Sequence, residues 1–207
     1  MGYKLITAPT TEPLTLLEAK AHLRVDTVDD DALIGLLITA TRQYCEQLTA
    51  RSLVTQQWSL VLDSFPGGGN FADQFGYAGI LPGHAVLLEK GPVQSIDSIT
   101  YTDMASAAQT MPPTDYIAEL SGPLARITPR FGKIWPIALP QIGSAVVNFT
   151  AGYGAAAAVP EGLKAWMKLR LAALYENREE AISGRGIVIA ELPFVDSLLD
   201  AYRIVRH

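Results

Sequence analysis

Three glutamates near the end of this 207-residue sequence are the residues whose type and spacing come closest to a catalytic group. Glu176, Glu179 and Glu180 share one predicted helix, and a carboxyl group placed there could act as a general acid. Charged helix faces are usually only solvated, and no nucleophile motif accompanies these residues. A small soluble enzyme with a carboxylate site on a helix over 160–182 is therefore the alternative function and not the preferred one.

A glycine-rich stretch suggests a second kind of chemistry. Gly152-Tyr153-Gly154-Ala155-Ala156-Ala157 fits the G-x-G-x-x-A pattern of a dinucleotide-binding turn. Pro160 begins the next predicted helix too late for the glycines to lie on its first turn, and no second strand ending in an acidic residue follows. We interpret the stretch as a turn between a strand and a helix, and we predict no cofactor.

The possible metal ligands do not form a recognisable set. Asp26 and the run Asp29–Asp31 suggest a cation loop, but Asp31 and Leu37 occupy the positions where an EF-hand needs Gly and Glu. We interpret these acids as caps of a helix N-terminus. The other candidates, which lack ligand-like spacing, are His22, His84, His207 and Cys45. We predict no metal site and a core position for Cys45.

The composition limits the class of protein. Apolar residues make up 49% of the chain and charged residues 18%, and the single cysteine fits a reducing compartment. The net charge of −5 argues against a protein that mainly grips phosphates. The longest apolar run, Ala32–Ala40, is too short to cross a bilayer, and the start of the chain is no signal peptide. We expect a soluble protein made in the cytoplasm, with no membrane partner.

Three helices have clear local patterns. Thr15 followed by Glu18 is a capping box, which predicts a short first helix. The acids 29–31 begin a second helix that is apolar over a wide arc, so we expect it to be covered on more than one side. Its stripe comprises Leu33, Leu36, Leu37, Ala40, Tyr44 and Leu48, widened by Ile34, Ile38 and Cys45. Pro160 and Glu161 begin a third helix.

The middle of the chain reads as strands separated by Gly and Pro. The predicted strands are 54–62, 85–89, 95–102, 116–118, 125–128 and 145–150, with a further extended stretch at 187–190. The order predicts an α+β fold, in which both chain ends form a helical core and an antiparallel β-domain is inserted between them. The expected division is 1–52 and 159–207 for the helical core, and 53–158 for the inserted β-domain.

The C-terminal segment is the predicted docking element. Pro193 begins a helix of about a dozen residues, which is marginal alone in water, and the glycines at 184 and 186 could form a hinge before it. We therefore expect it to dock on another protein or on a neighbouring subunit. The docking residues are Val195, Leu198, Leu199, Tyr202, Arg203, Val205 and Arg206. The alternative is that this helix completes the core of its own subunit.

Several stretches, in one order, resemble a known family. They are 12–25, 29–34 with Arg42 and Glu46, 51–66, 149–154, and Val159-Pro160 followed by 174–179. This ordered set resembles the phage head–tail connector, or adaptor, proteins, which also occur in gene transfer agents. Compact members of that family are essentially helical, and residues 71–142 match it poorly, so the β-domain departs from the family pattern.

The resemblance implies a structural virion protein and no enzyme. Such proteins typically form a ring of twelve copies under the capsid portal, extend the DNA channel and present a surface for a tail or stopper protein. The implied partners are the portal protein, the tail or stopper protein and other copies of the chain, while DNA passes without specific binding. The implied location is the head–tail interface of the virion, and the C-terminal helix would grip the portal. A net acidic chain suits a conduit that must release DNA.

Overall fold

The computed structural model describes residues 2–66, 85–122, 124–177 and 195–204. The α-helices in these ranges are α1 (Leu16–Leu23), α2 (Asp31–Thr49) and α3 (Glu161–Glu176). The strands are β1 (Gly2–Thr7), β2 (Gln56–Leu62), β3 (Val86–Leu88), β4 (Val93–Thr102), β5 (Ala108–Thr110), β6 (Tyr116–Glu119), β7 (Ala125–Pro129) and β8 (Ala145–Ala151). Short 3-10 turns lie at Pro113–Asp115, Ala156–Ala158 and Asp196–Leu199. The predicted α+β fold is confirmed.

Helix α1 begins at the predicted capping box. The backbone N–H of Glu18 donates to Thr15 Oγ1 at 3.2 Å, and the backbone N–H of Thr15 donates to Glu18 Oε2 at 2.8 Å. These two bonds satisfy N–H groups that have no partner within the helix. The helix ends where Arg24 adopts the left-handed conformation at φ 58°.

Helix α2 buries a different stripe from the predicted one. Its buried side carries Ile34, Ile38 and Cys45, whereas Leu36 and Tyr44 are exposed. Helices α1 and α3 both pack against α2 and against each other, and their positions decide which of the apolar residues face inward. Two helices thus cover α2, in agreement with the prediction that more than one side is covered, while Leu36 and Tyr44 of the predicted stripe stay exposed.

The strands form two antiparallel sheets. The larger has the order β1-β2-β8-β4-β5, and the smaller has the order β3-β7-β6. Strand β1 was not expected: it pairs with β2, so the first residues of the chain join the sheet instead of the helical core. The short edge strand β5 was also missed, while the extended stretch at 187–190 lies outside the described residues.

Two apolar clusters stabilise the chain. One lies among the strands, around Leu60, Ile99 and Phe149. The other joins α1, α2 and α3 to the segments that enter and leave the sheet, around Leu53 and Trp166. Backbone bonds tie the two parts together where the chain passes between them: Ser52 N donates to Gly91 O at 2.8 Å, and Tyr153 N donates to Leu53 O at 3.1 Å. No described helix has both the length and the apolar character needed to cross a membrane.

Candidate interaction surfaces

The residues that suggested catalysis do not form a site in the described structure. Glu176 is exposed at the last position of α3, and Glu179 and Glu180 lie outside the described residues. Among the residues that the structure describes, no three His, Cys, Asp or Glu side chains come together in a way that could hold a metal ion. His22 is exposed on α1, while His84 and His207 are outside the described ranges.

The glycine turn after β8 is explained by close packing. Gly152 has φ +124°, and a Cβ there would lie 2.3 Å from the Val54 carbonyl oxygen. Its N–H donates to Pro92 O at 2.8 Å, so that group already has a partner. This geometry agrees with the interpretation of the stretch as a connection between a strand and a helix.

The acids at the start of α2 follow the prediction only in part, because Asp31 lies in the first turn of the helix whereas Asp30 makes no capping bond. Asp30 occupies the N-cap position, but its side chain makes no capping bond and instead accepts a hydrogen bond from the Tyr175 hydroxyl. Asp31 pairs with Lys20 at 2.6 Å. The two carboxylates therefore join α2 to α3 and to α1, and the expected capping role of Asp30 is wrong because a tertiary partner takes its side chain.

The core contains both an inert thiol and a charged network. Burial raises the pKa of Cys45 to about 12, and the neighbouring Glu46 charge adds to this effect, so the thiol is a core group as predicted. Arg42 Nε lies 2.7 Å from Glu12 Oε2, and Arg42 Nη1 lies 2.8 Å from Glu46 Oε2. Glu46 also accepts from the backbone N–H of Leu53 at 2.9 Å.

This network lies on the buried side of α2, and sequence reasoning did not identify it. Burial raises the pKa of Glu46, while the Leu53 N–H and Arg42 oppose that rise. The four-residue spacing of Ile38, Arg42 and Glu46 was the available signal, because residues at that spacing share a helix face. The network connects α2 to the segment that enters β2.

The C-terminal docking residues pack on their own subunit. Leu199 is fully buried in the helical cluster, and Val195, Leu198 and Tyr202 pack against the same cluster. Arg203 lies at the margin of this cluster. Its side chain is 37% exposed, and its Nη1 lies 3.1 Å from Asp200 Oδ1. The remaining two docking residues, Val205 and Arg206, lie outside the described residues.

The predicted regular helix is absent from the described part of this segment, 195–204, where a 3-10 turn over Asp196–Leu199 stands in its place. Trp166 Nε1 donates to Asp196 Oδ1 at 2.9 Å, and the Arg51 guanidinium donates to the carbonyl of Tyr202. The first bond holds the start of the turn on the helical core, and the second holds the chain three residues beyond its end.

The most exposed apolar residues of the described part of the chain fall in two regions. The first comprises Leu17 on α1, Val28 before α2 and Leu36 on α2, which are 79%, 73% and 69% exposed. We call these three residues the α1–α2 surface. In the connection over 24–29, Asp26 and Asp29 flank Val28 and are exposed, as is one cation, Arg24, so this margin carries two acids against one base.

The second surface lies at the end of the large sheet that is remote from the helices, between β7 and β8. It carries four large apolar side chains, each at least 74% exposed: Phe131, Ile134, Ile137 and Ile142. We call residues 130–142 the tip. Arg130 and Lys133 are exposed within it, and the sequence has no Asp or Glu from 121 to 143.

The irregular backbone of the tip is held in place by buried contacts. Trp135 is 8% exposed and stacks on Phe65 with 4.8 Å between the ring centroids and 1° between the planes. The backbone N–H of Leu139 donates to Thr102 O at 2.8 Å, and that of Gly143 donates to Asp63 Oδ1 at 2.9 Å. The exposed apolar side chains therefore project from an anchored loop.

Comparison with known proteins gives one family match and several similar structures. Residues 13–79 match the model of the phage gp6-like head-tail connector proteins. No curated protein matches the chain.

The similar structures come from gene transfer agent (GTA) particles. A chain from the neck of an empty GTA particle, computed with C6 symmetry, has a TM-score of 0.78 at 24% identity, over 100% of this chain and 97% of that one. A chain from the virion of a native GTA particle has a TM-score of 0.77 at 22% identity, with the same coverage. A chain from the neck of a native particle, computed with C12 symmetry, has a TM-score of 0.75 at 23% identity, again over 100% and 97%. These likenesses show the fold of the whole chain.

Proposed function

This chain resembles the phage head–tail connector proteins, and from that premise we propose that it is a structural subunit of the neck of a phage-like particle. One observation carries the proposal: residues 13–79 match the connector family. The fold of the whole chain, which is that of chains from GTA particles, agrees with it. In this proposal the protein resides at the head–tail interface of the virion and catalyses no reaction.

The finer form of the proposal is a ring. Copies of the chain, twelve if they follow the C12 symmetry of a similar neck, form a ring between a portal protein and a tail or stopper protein. A ring requires a heterologous interface, in which one face of a subunit meets a different face of the next. Two unlike apolar surfaces, the tip and the α1–α2 surface, support such an interface. The net charge of −5 suits a channel through which DNA passes without specific binding.

The C-terminal segment is the proposed contact with the portal or with a neighbouring subunit. Leu199 already fills the core of its own subunit, so docking through the described residues uses the outer side of the segment. Arg203 is the described docking residue with a charged group at that margin. Charges at the rim of an interface affect the rate and orientation of docking more than its affinity.

Deletion of the gene in a strain that produces the particles tests the proposed function. We expect DNA-filled heads without tails in electron micrographs, and we expect tails to return when the wild-type gene is supplied from a plasmid. A plasmid that encodes Glu176→Gln is the matched test of the enzymatic alternative and should restore tails equally well. Normal tailed particles in the deletion strain would contradict the connector role.

A further inference from the structure

We propose that the tip of one copy docks on the α1–α2 surface of the next copy, and that this contact joins neighbouring subunits. The inference rests on the proposed ring and deepens it, because it assigns the two faces of the subunit that meet. The occupant of each surface is thus a second copy of this chain.

The exposure of apolar side chains is the first argument. Seven large apolar residues in the described ranges expose more than two-thirds of their surface, and all seven lie on the tip or on the α1–α2 surface. Single exposed apolar residues are normal on a protein surface, whereas several close together mark an interaction site. Concentration of the most exposed apolar groups in two places therefore indicates two surfaces that are covered in the assembled state.

The difference between the two surfaces is the second argument. The tip is an irregular loop at one end of the sheet, and the α1–α2 surface is formed by two helices and their connection. Two unlike surfaces on one chain allow each copy to bind the next in the same sense, and such head-to-tail contacts close into a ring when the rotation fits. A symmetric dimer would need only one self-complementary surface.

Charge is the third argument, because the margins of the two surfaces have opposite signs. Arg130 and Lys133 belong to the tip, where Lys133 Nζ has one neighbouring carboxylate, Asp115, at 3.2 Å. On the α1–α2 surface, Asp26 and Asp29 border Val28 and outnumber the one exposed cation of that connection, Arg24. Opposite charges at the rims of two apolar surfaces orient the partners and disfavour tip-to-tip contact, where like charges would meet.

The anchored backbone of the tip is the fourth argument. Trp135 is buried against Phe65, so the loop is already ordered before it meets a partner. A surface that is fixed in advance loses less conformational entropy when it binds than a loop that must order on contact. The tip is therefore suited to bind a partner without first having to become ordered.

Engineered disulfides in assembled particles test this contact. In a Cys45→Ala background, Val28→Cys and Ile134→Cys are introduced together, and purified particles are mildly oxidised and separated on non-reducing gels. We expect a ladder of cross-linked chains that extends beyond the dimer, because each copy would have one link on either side. Each single cysteine variant should give no ladder.

The matched control replaces Val28→Cys by Ile6→Cys, which puts the second thiol on an exposed residue of β1 outside both surfaces. This pair should give no ladder. A ladder of equal strength from the control pair would overturn the proposal, as would cross-linking of Ile134→Cys only to a different protein of the neck.

Charge reversal gives an independent test with a readout in assembly. Arg130→Glu and Asp29→Arg should each lower incorporation into particles at least tenfold, and the double variant should recover most of it. Circular dichroism melts show whether each variant folds. If wild-type protein incorporates and neither reversal affects it, this inference fails while the connector role stands. If wild-type protein is itself absent from particles, the proposed function fails.

Discussion

Arg42 and Glu46, one turn apart on α2, form an ion pair of 2.8 Å on the buried side of the helix. Glu46 extends the contact to the segment before β2, because its Oε1 accepts from the Leu53 N–H and from Gln56 Nε2 at 2.7 Å. Arg42 extends it in the other direction to Glu12. The pair thus lies where the helical part of the chain meets the sheet, and it fixes the path between them.

Removal of the Glu46 carboxylate should destabilise the protein strongly. Glu46→Ala leaves Arg42 with one carboxylate fewer and leaves the Leu53 N–H without its acceptor, so we expect the free energy of unfolding to fall by about 3–5 kcal/mol. Urea denaturation measures this change. The control is Asp200→Asn, which removes an exposed carboxylate paired with the partly exposed Arg203 and should cost about 0–1 kcal/mol. Equal losses in both variants would contradict the role assigned to the buried pair.

The pH dependence of stability should show the direction in which folding shifts the pKa of Glu46. Burial raises the pKa of Glu46 in the folded state, so the unfolded chain releases this proton at lower pH than the folded one. The contribution of Glu46 is therefore largest below its unfolded pKa and is lost as pH rises through its folded pKa. We expect the stability of wild type relative to Glu46→Gln to decrease over that window, as measured by denaturation at a series of pH values. A relative stability that increases over the same window would refute the assignment.

Local signals made the helices predictable, because a cap lies next to the helix that it starts. Thr15 and Glu18 specify α1 within four residues, and the predicted capping box is present. The face of α2 that is buried was less predictable, because Ile34 and Leu36 are both apolar. Which of them faces inward depends on the positions of α1 and α3, and this is tertiary information.

The sequence did not reveal strand β1 or the orientation of the side chains of the tip, and each failure has a physical reason. Strand β1 is an edge strand whose consecutive residues Leu5 and Ile6 are both exposed, so the alternation that marks a half-buried strand is absent. The tip contains Pro136 and Pro140, which correctly indicate an irregular loop. Whether its apolar side chains face the core or the solvent is set by the anchor of Trp135 on Phe65, two residues 70 positions apart in the sequence.

The stack of Trp135 on Phe65 should hold much of the tip in its ordered conformation. Trp135→Ala removes the ring that stacks on Phe65, and we expect the free energy of unfolding to fall by about 3–5 kcal/mol. Hydrogen exchange should also become faster at the backbone N–H of Leu139, which in the wild-type protein donates to Thr102 O. The matched variant Ile137→Ser changes an exposed residue of the same loop and should shift stability by no more than about 0.5 kcal/mol. Unchanged exchange in Trp135→Ala would show that the stack does not hold the loop.

Two variants of the C-terminal segment separate core packing from docking. Leu199→Ala truncates a fully buried side chain and should lower the free energy of unfolding by about 2–5 kcal/mol. Arg203→Glu alters the exposed margin, so we expect a thermal melt near that of wild type but weaker incorporation into portal-bearing heads. Lys4→Glu, an equal charge change on β1, is the control and should incorporate normally. Wild-type incorporation of Arg203→Glu would argue against docking through this margin.

Cryo-electron microscopy of intact particles from the encoding strain tests the central claim most directly. We expect the fold described here, with its helical part and its two sheets, as a closed ring of twelve copies between the capsid and the tail. Quantitative mass spectrometry of the same particles should give an equal number of copies of this chain and of the portal protein if both rings have twelve subunits. Particles that are complete, tailed and infectious or transfer-competent but lack this chain at the neck would contradict the account.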